Sequence, residues 1–582
     1  MKIKHLFGLA VIAAMTASCS SNEDLGTAGP GTGTNEAGVG YATFTINLPS
    51  TNGTRADGDP IYDQGTSDEY DVNDVTLLIF KKGGEATKEG DFTFVEKADL
   101  GNMAPWKAEG SNGITASATI TAKLTGVDLT KEGLKSDYYA LAILNNNADA
   151  TGAGKVKLPT KTSDTFSSWN VASNTVVAKF TDNTNGYYMA NAPVFVAGGE
   201  PTTLVNIDKV YATKQKAETN AATTIHVERG LAKVTVASFP KDLPPTGTIY
   251  NSDKVEITAW NLDVTNKSTF PIHKTTGLNS PFTTIWSASP DPAPSTGRFV
   301  DGTNKAFKRV YWGVDPNYST NYTTVADCEG NFNVLAANAA ITGNAKTPQY
   351  CLENTFDIKH MLQGQTTRVV FKAKYTPKNF ADNETFYKIG NNTDLWNEEN
   401  LKKQIKTVAL TAMNITDAEE QKKYDVDLTK GTNISGKAGQ HLIEAANITY
   451  SGEPASSKVK PDAITAINDK LGLSTAAGIS TYLNGEAYYI ARIKHFGDNL
   501  TPWSEGDKTY GDNDETQNNK YLGRYGVLRN NWYELTVNSV SGPGTPDVPT
   551  IKPDVPDDES YRYISVSVKI LSWAKRSQKV DL

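Results

Sequence analysis

The pattern of apolar and polar side chains predicts a β-strand at residues 41–48. Apolar side chains occupy every second position there, and threonine or asparagine lies between them. A strand with this alternation buries one face and leaves the other in water. The positions on the apolar face are Ala42, Phe44, Ile46 and Leu48. Pro49 follows directly and predicts the end of the strand, before a polar loop at residues 50–59.

Short apolar stretches separated by turn residues recur along the chain, and we interpret them as further strands. They lie at residues 72–80, 138–144, 176–180, 194–197, 223–227, 229–236, 254–262, 309–313, 367–375, 406–413 and 530–540. Helical patterns occur at residues 398–404 and 461–471. This spacing predicts an all-β protein built from sandwiches. We place one domain at residues 56–228 and a second at residues 229–540, because residues 229–236 are typical of the opening of a new domain.

The chain changes character at residues 541–558, which contain five prolines among glycine and aspartate. This composition predicts a semi-rigid polyproline II spacer with a reach of roughly 55 Å. The last region, residues 559–582, contains a strand pattern with Ile564, Val566, Val568 and Ile570 on one face. Two interpretations are open from the residues alone. The strand folds back onto its own domain, or it completes the sheet of another molecule as a donor strand.

The first residues carry the features of an export signal. Lys2, Lys4 and His5 precede an apolar run that is too short to span a membrane permanently. The next residues, Thr-Ala-Ser-Cys at 16–19, resemble the lipobox of bacterial lipoproteins. That resemblance implies a signal peptide at residues 1–18 and a lipidated Cys19. The alternative is an ordinary signal peptide that happens to contain a cysteine.

Composition narrows the class of protein without assigning a function. The chain has 582 residues, a net charge of −8 and no basic cluster, so we expect no nucleic-acid partner. Two cysteines, Cys328 and Cys351, lie far beyond Cys19. In a secreted chain they could form a disulfide worth roughly 3 kcal/mol. They could equally be two buried free thiols.

We find no catalytic constellation in the sequence. The six histidines do not pair at metal-binding spacing, and the nucleophile-elbow, phosphate-loop and His-Glu-x-x-His motifs are absent. We therefore predict no enzyme activity, no cofactor and no metal site. Residues 512–515 could ligate Ca²⁺, but they lack the register of an EF-hand, and a solvated loop is favoured. Four tryptophans could line a glycan site, although packing is favoured for them. They are Trp260, Trp312, Trp503 and Trp532.

Several stretches, taken together with the lipobox, resemble the Mfa1-type fimbrillins of the Bacteroidetes. The run from Ile564 to Trp573, followed by Val-Asp-Leu at 580–582, resembles the end of those proteins. Four further stretches occur in the order found in the family, at residues 186–193, 227–234, 350–355 and 525–533. The resemblance implies two transthyretin-like Greek-key β-sandwich domains with a few short helices. It also implies a C-terminal donor strand that includes Trp573.

The resemblance further implies a route of assembly. A fimbrillin precursor reaches the cell surface as an outer-membrane lipoprotein, and an extracellular protease cuts it after an arginine in the first loop. In this sequence the bond that matches the family's cleavage site is Arg55–Ala56. It lies in a polar loop, and proteases commonly cut loops of this kind. The cut releases residues 19–55 as a propeptide that includes the strand at residues 41–48, and the donor strand of a neighbouring subunit fills the groove. The implied partners are other copies of this chain, anchor and tip fimbrial subunits, the protease and, transiently, the outer membrane.

We therefore predict a structural subunit of a fimbrial shaft that supports adhesion and biofilm formation. The rival hypothesis is a lipid-anchored glycan-binding protein or a tip adhesin. Such a protein would keep its lipid and its first strand. The two hypotheses differ in the N-terminus found on cells, which is Ala56 for the shaft subunit and Cys19 for the tethered binder.

Overall fold

The computed structural model describes most of the chain between Gly38 and Trp573. The described residues are 38–49, 62–63, 66–108, 116–132, 134–147, 154–182, 184–194, 201–246, 249–276, 310–453, 461–496, 501, 521–557 and 564–573. Of the predicted site residues, Cys19, Arg55 and Ala56 lie outside these ranges. None of the helices within the described ranges combines the length and the apolar character that a membrane crossing needs.

The N-terminal part of the chain is rich in strands, most of which form one sandwich. Its strands are β1 (Gly40–Asn47), β2 (Tyr62–Asp63), β3 (Val75–Lys81), β4 (Thr93–Asp99), β5 (Lys107–Ala108), β6 (Ala116–Leu124), β7 (Tyr138–Leu144), β8 (Ser173–Asn174), β9 (Thr181–Asp182), β10 (Gly186–Tyr187), β11 (Met189–Asn191), β12 (Val205–Asn206) and β13 (Thr223–Arg229). One curled sheet has the order β4-β3-β7-β11-β13-β1-β6-β5, with β12 beside β7. Strand β13 joins the two halves, because its first residues pair with β1 and its last residues pair with β11. The halves face each other across a core that includes Phe44, Leu77 and Ala142.

The C-terminal part of the chain forms a second sandwich. Its strands are β14 (Ala232–Val236), β15 (Lys254–Asp263), β16 (Thr265–Asn266), β17 (Ser268–Thr269), β18 (Phe332–Asn333), β19 (Gln349–Cys351), β20 (Arg368–Thr376), β21 (Phe386–Ile389), β22 (Leu395–Trp396), β23 (Tyr424–Val426), β24 (Gln440–His441), β25 (Ile448–Tyr450), β26 (Ile479–Tyr482), β27 (Glu486–Arg492), β28 (Asn531–Val540) and β29 (Ile564–Trp573). One sheet has the order β19-β14-β28-β29-β2, and the other has the order β15-β20-β27. Trp260, Phe371 and Tyr533 pack between them. The prediction of a mainly all-β sandwich protein is confirmed.

Helices are short and few among the described residues. They are α1 (Phe166–Trp169), α2 (Val177–Phe180), α3 (Lys214–Glu218), α4 (Val325–Asn331), α5 (Glu398–Ala412), α6 (Ala418–Gln421) and α7 (Pro461–Leu471). Single 3₁₀ turns occur at Ser67–Glu69, Glu89–Asp91, Leu129–Lys131, Ile358–His360, Ala445–Asn447 and Leu483–Gly485. Helices α5 and α7 pack with the sheet β22-β21-β26-β24 into a lobe with its own apolar core. This lobe is an insertion within the second sandwich, between β20 and β27.

Two strand predictions are wrong, because the residues are helical. Residues 176–180 contain helix α2, and residues 406–413 form the second half of helix α5. The buried residues of α5 are Leu401, Ile405 and Ala409, which lie four residues apart on one helical face. The repeat is not visible within residues 406–413 alone, because Leu401 and Ile405 precede this stretch and Ala409 alone lies inside it.

The proline-rich segment is packed against the second sandwich, whereas its composition predicted a projecting spacer. We call residues 541–557 the strap. The side chains of Val548 and Ile551 are 1% and 3% exposed. The backbone of Thr545 exchanges two hydrogen bonds with that of Tyr488 at the edge of β27, with N···O distances of 2.9 and 2.8 Å. The prolines keep the strap extended, and several of its backbone N–H and C=O groups form hydrogen bonds with the second sandwich.

The last strand, β29, lies in the sheet of its own chain. It runs antiparallel to β28 along its whole length, from Ile564 opposite Val540 to Ser572 opposite Asn531. On its other side, the pairing within the described residues is limited to Ser572 and Trp573, which pair with the short strand β2. Of the two interpretations left open by the sequence, this structure shows the strand folded back onto its own domain.

Candidate functional site

The first strand fills a central slot in the N-terminal sheet. Its backbone pairs with β6 from Gly40 to Asn47 and with β13 from Phe44 to Asn47. The apolar face predicted from the alternation is confirmed, because every one of its side chains is buried. The exposures of Ala42, Phe44, Ile46 and Leu48 are 1%, 0%, 0% and 3%. Removal of β1 would therefore open the middle of the sheet and the core beneath it.

The opposite face of β1 carries polar cross-strand pairs. The hydroxyl of Thr43 lies 2.8 Å from that of Thr121, and the hydroxyl of Thr45 lies 2.8 Å from that of Thr119. Facing threonines on neighbouring strands add a modest stabilisation to an antiparallel pair. They also fix the register of β1, because a shift by one residue would turn the threonines into the core.

One end of the slot is narrow. A Cβ atom at Gly40 would lie 2.6 Å from Val210 and 2.7 Å from Val127. No side chain fits that close to two valine methyl groups without displacing them. The slot therefore has little room for a side chain at its Gly40 end. At its other end it holds three large side chains, those of Phe44, Ile46 and Leu48.

The chain beyond the first loop is fixed at the junction of the two sandwiches. Glu69 is 0% exposed, and its Oε1 lies 2.8 Å from Nζ of Lys233 in β14. The hydroxyl of Tyr350 donates to the same oxygen at 2.5 Å. The Nε of Arg229, at the end of β13, donates to the backbone oxygen of Glu69 at 2.7 Å. Glu69 thus binds residues of the strand that ends the first sandwich and of two strands in the second.

The ionised form of Glu69 is favoured despite its burial. Burial alone would raise the pKa of this carboxyl, but the charge of Lys233 and the hydrogen bonds from Lys233 and Tyr350 lower it below its usual value. Lys233 also lies over the ring of Trp532, with Nζ 3.8 Å from the ring centroid. The junction therefore holds a paired charge and an aromatic ring in one buried cluster.

A second buried cluster joins the sandwiches on the far side of β13. Nδ1 of His273 lies 2.7 Å from Oε1 of Glu228 in β13. Nε of Arg529 donates to Glu353 at 3.2 Å, and Glu353 lies 3.8 Å from His273. Strand β13 ends at Arg229 and β14 begins at Ala232, and the sequence placed the domain boundary between residues 228 and 229.

Neither Glu69 nor its partners was predicted as a site residue. Glu69 and Lys233 are separated by 164 positions, and Tyr350 lies a further 117 positions along. No local pattern links residues so far apart. A buried acid beside a turn has no sequence signature that distinguishes it from the many exposed acids of this chain.

The two cysteines are free thiols in the structure, so the disulfide alternative is corrected. Both are buried. Cys328 packs with Tyr322, Phe332 and Ile551, whereas Cys351 lies in the core of the second sandwich. Burial raises the pKa of Cys328 to about 11 and that of Cys351 to about 12. Two thiols in different apolar clusters cannot bond without moving the backbone.

The tryptophans lie mainly inside the protein. Trp260 and Trp312 are fully buried, and the indole nitrogen of Trp532 donates to Thr235 at 2.8 Å. Trp260 and Trp312 thus pack in the core as the sequence favoured, whereas Trp532 is partly buried with Lys233 over its ring. Trp503 and the acidic stretch at 512–515 lie outside the described residues. Within the described ranges, no group of three or more His, Cys, Asp or Glu is placed to hold a metal ion.

The comparison with protein families finds one match. Residues 480–579 match the family described as the C-terminal region of fimbrillin, the major fimbrial subunit protein type IV. The matched region contains β27, β28, the strap and β29. It covers the end of the chain whose strand pattern carried the resemblance stated above. No curated protein is significantly similar in sequence to this chain.

Similar solved structures come from fimbrial and adhesion proteins of Bacteroidetes. A fimbrilin of Porphyromonas gingivalis W83 has 12% identity and a TM-score of 0.35, covering 93% of this chain and 99% of that chain. A protein of Parabacteroides distasonis described in terms of cell adhesion has 9% identity and a TM-score of 0.37, covering 92% and 98%. The tip fimbrial protein Mfa3 of Porphyromonas gingivalis has 9% identity and a TM-score of 0.29, covering 92% and 100%. The family match itself covers residues 480–579.

Proposed function

We propose that this chain, whose residues 480–579 match the C-terminal region of fimbrillin, is a shaft subunit of a cell-surface fimbria that polymerises by donor-strand exchange. In this proposal it is exported as a lipoprotein anchored at Cys19 and cut between Arg55 and Ala56. The mature protein joins other copies of itself, and anchor and tip subunits complete the fimbria. The assembled fimbria supports adhesion and biofilm formation.

The position of β1 is the observation that carries the proposal. A cut in the loop after Leu48 leaves β1 attached to the protein by noncovalent contacts alone, because the cut separates it from the rest of the chain. Its loss would expose the small site of Ala42 and the pockets of three large apolar side chains, each of the three worth about 1.5–3 kcal/mol when buried. It would also leave backbone groups of β6 and β13 without partners in the middle of a sheet. An open slot of this kind has a strong tendency to bind another strand.

Strand β29 is suited to fill such a slot. It has ten residues, whereas β1 has eight, and it alternates apolar and polar residues in the same way. Ile564, Val566, Val568 and Ile570 share one face, as the buried residues of β1 do. It lies near the end of the chain and is paired along its full length on one side only. Its transfer to a neighbour would exchange one ladder of backbone hydrogen bonds for two.

The Glu69 cluster supports the proposed cleavage site. A cut at Arg55–Ala56 leaves Glu69 on the mature protein, where its contacts with Lys233, Tyr350 and Arg229 hold the new N-terminal segment against the second sandwich. Cleavage would therefore release β1 without releasing β3 or loosening the junction. The loop separates a strand that can be removed from a segment that must be kept.

The N-terminus of the protein taken from cells tests the proposal. We expect polymerised protein to begin at Ala56. Arg55→Ala should leave a precursor that begins at the lipidated Cys19 and forms no fimbriae, whereas the exposed control Lys82→Ala should be processed normally. Fimbriae built from subunits that begin at Cys19 would contradict the proposal and favour a tethered surface binder.

A further inference from the structure

The strap is the first part of the chain segment that connects β28 to β29. It leaves the second sandwich sheet after Val540, and the chain returns at Ile564, which pairs with Val540 itself. If the whole of residues 541–563 were released, β29 could move about 80 Å from Val540, at the 3.3–3.6 Å that an extended chain spans per residue. Whether the strap stays bound therefore determines how far from its own domain β29 can engage a partner.

The first part of the strap is bound along β27 and beside β26. The hydroxyl of Tyr482 donates to the backbone oxygen of Gly544 at 2.8 Å, and that of Tyr489 donates to Gly542 at 3.0 Å. Both tyrosines are 2% exposed. The paired backbone bonds between Thr545 and Tyr488 extend the sheet by one further bridge. The strap thus covers an edge that would otherwise be open.

The middle of the strap is bound by burial and by an arginine. Val548 packs against Val370 and Ile490, and its backbone N–H donates to Ala337 at 3.0 Å. Arg368 is 1% exposed and forms an ion pair with Asp263 at 2.7 Å. The guanidinium of Arg368 also donates to the backbone oxygen of Pro549. Release of the strap would leave this buried charge network with one acceptor fewer.

The last part of the strap is bound at Asp557, which is 0% exposed. Its backbone N–H donates to Met361 at 3.0 Å, and its Oδ2 accepts from the hydroxyl of Thr366 at 2.8 Å. The N–H of Gln363 donates to the oxygen of Val555 at 2.8 Å. Asp557 is therefore a fixed point only seven residues before the first residue of β29.

We propose that the strap remains bound to its own domain when β29 engages a second copy of this chain, so that the acceptor slot must lie close to Asp557. This inference rests on the donor-strand exchange proposed above and adds the geometry of the partner surface. Seven chain steps from Asp557 to Ile564 span at most about 25 Å. The N-terminal sandwich of the second copy is then seated against the end of the second sandwich that carries Met361 and Asp557.

The energetic reason is an asymmetry between the two segments. When β29 leaves its own sheet, the backbone hydrogen bonds that it loses are replaced in the slot of the neighbour. When the strap leaves, the buried side chains of Val548, Ile551 and Asp557 enter water, and nothing in the slot replaces their contacts. Exchange therefore favours movement of β29 alone.

A pair of engineered disulfides tests this inference in the full chain. Leu362 and Pro556 face each other between two flanking backbone hydrogen bonds, which makes them a close pair with Cα atoms about 4.5 Å apart. That separation suits a disulfide, and both side chains are only half buried. L362C/P556C staples the strap to its domain. The matched control T536C/S567C joins paired positions of β28 and β29 and staples the donor strand itself.

The variants are expressed in a bacterium that assembles the wild-type chain, with and without dithiothreitol, and fimbriae are counted by electron microscopy after thiol labelling confirms each staple. We expect L362C/P556C to give fimbriae within twofold of wild type under both conditions. T536C/S567C should give at least tenfold fewer fimbriae than wild type and recover when reduced.

Loss of fimbriae with both staples would contradict the bound strap and leave donor-strand exchange standing. Normal fimbriae with both staples would instead refute β29 as the donor. If the first staple does not form, Q363C/V555C replaces it one position along at the same end of the strap, where the N–H of Gln363 donates to the oxygen of Val555.

Discussion

Glu69 and Lys233 form a buried ion pair across the junction of the two sandwiches, with Oε1 and Nζ 2.8 Å apart and side-chain exposures of 0% and 4%. Glu69 lies just before β3 of the first sandwich, and Lys233 lies in β14 of the second. The pair joins a segment that follows the proposed cleavage loop to the strand that opens the second domain. The pair therefore contributes to holding the segment before β3 against the second sandwich.

We predict that Glu69→Gln lowers the free energy of unfolding by about 3–5 kcal/mol, because it leaves the charge of Lys233 buried without a counter-ion. Urea unfolding of the full chain measures the change. Glu256→Gln is the matched control, since its pair with Lys241 is solvent-exposed at 3.4 Å and should be worth less than about 1 kcal/mol. Equal effects of the two substitutions would contradict a structural role for the buried pair.

Phe44→Ala should affect the precursor and leave the mature fimbria unchanged. Truncation of this fully buried side chain should cost the precursor about 3–5 kcal/mol. After cleavage β1 is absent from the subunit, so the thermal stability of assembled fimbriae should match that of wild type. The control Thr45→Ala, on the half-buried face of the same strand, should change the precursor by about 1 kcal/mol or less. A fall in the stability of the fimbriae themselves would show that β1 is retained.

The double substitution Val566→Asp and Val568→Asp should abolish fimbriae, because two charges would have to enter the apolar pockets of the slot. The matched control is Ser565→Asp with Ser567→Asp, which adds the same charge on the opposite face of the strand. Electron microscopy of cells measures fimbriae, and limited proteolysis of the exported protein checks folding. The prediction fails if both pairs of substitutions give the same number of fimbriae.

Acid should destabilise the second sandwich through His495. Burial lowers the pKa of His495 to about 3, and the hydroxyl of Tyr533 lies 2.9 Å from its Nδ1. That hydroxyl also accepts from the N–H of Leu528, so it is oriented to donate to a neutral imidazole. The unfolded chain binds the proton near pH 6.5. The unfolded state therefore binds more protons between pH 6.5 and 3, and stability is lost as the pH falls through that window.

The expected slope from this histidine is about 1.4 kcal/mol per pH unit below pH 6.5. His495→Gln removes the titrating group and should flatten the pH dependence of the free energy of unfolding by one proton in this window, whatever its effect at neutral pH. Urea unfolding at pH 7, 6, 5 and 4 measures both slopes. Parallel curves for the variant and the wild type would rule out His495 as the source.

The strongest predictions from sequence came from strands with a continuous two-residue repeat. The alternation at residues 41–48 identified the buried face of β1 correctly, and strand β7 lies at the predicted residues 138–144. The family match at residues 480–579 agrees with the resemblance seen in the final strand. These features depend on neighbouring residues alone, because a pleated strand turns successive side chains to opposite faces. The assignments of Cys19, Arg55 and Ala56 stay predictions.

Other features required the folded chain. The sequence of residues 541–557 contains the prolines that keep a segment extended, but not the tyrosines, the arginine and the backbone edge that bind it. The pattern at residues 406–413 predicted a strand, whereas the buried positions of helix α5 begin earlier, at Leu401. The Glu69 pair joins residues 164 positions apart. Each depends on surfaces that come together only on folding.

The sequence by itself determined the all-β class, the buried face of β1 and the alternation of β29, because these follow from local periodicity. Only the tertiary structure decided that β29 pairs with β28 of its own chain, that the strap is bound, and that Glu69 meets Lys233. The physical reason is that the energy of these contacts comes from removing distant groups from water together. A pattern of neighbours records which side chains can be buried, whereas the fold determines what they are buried against.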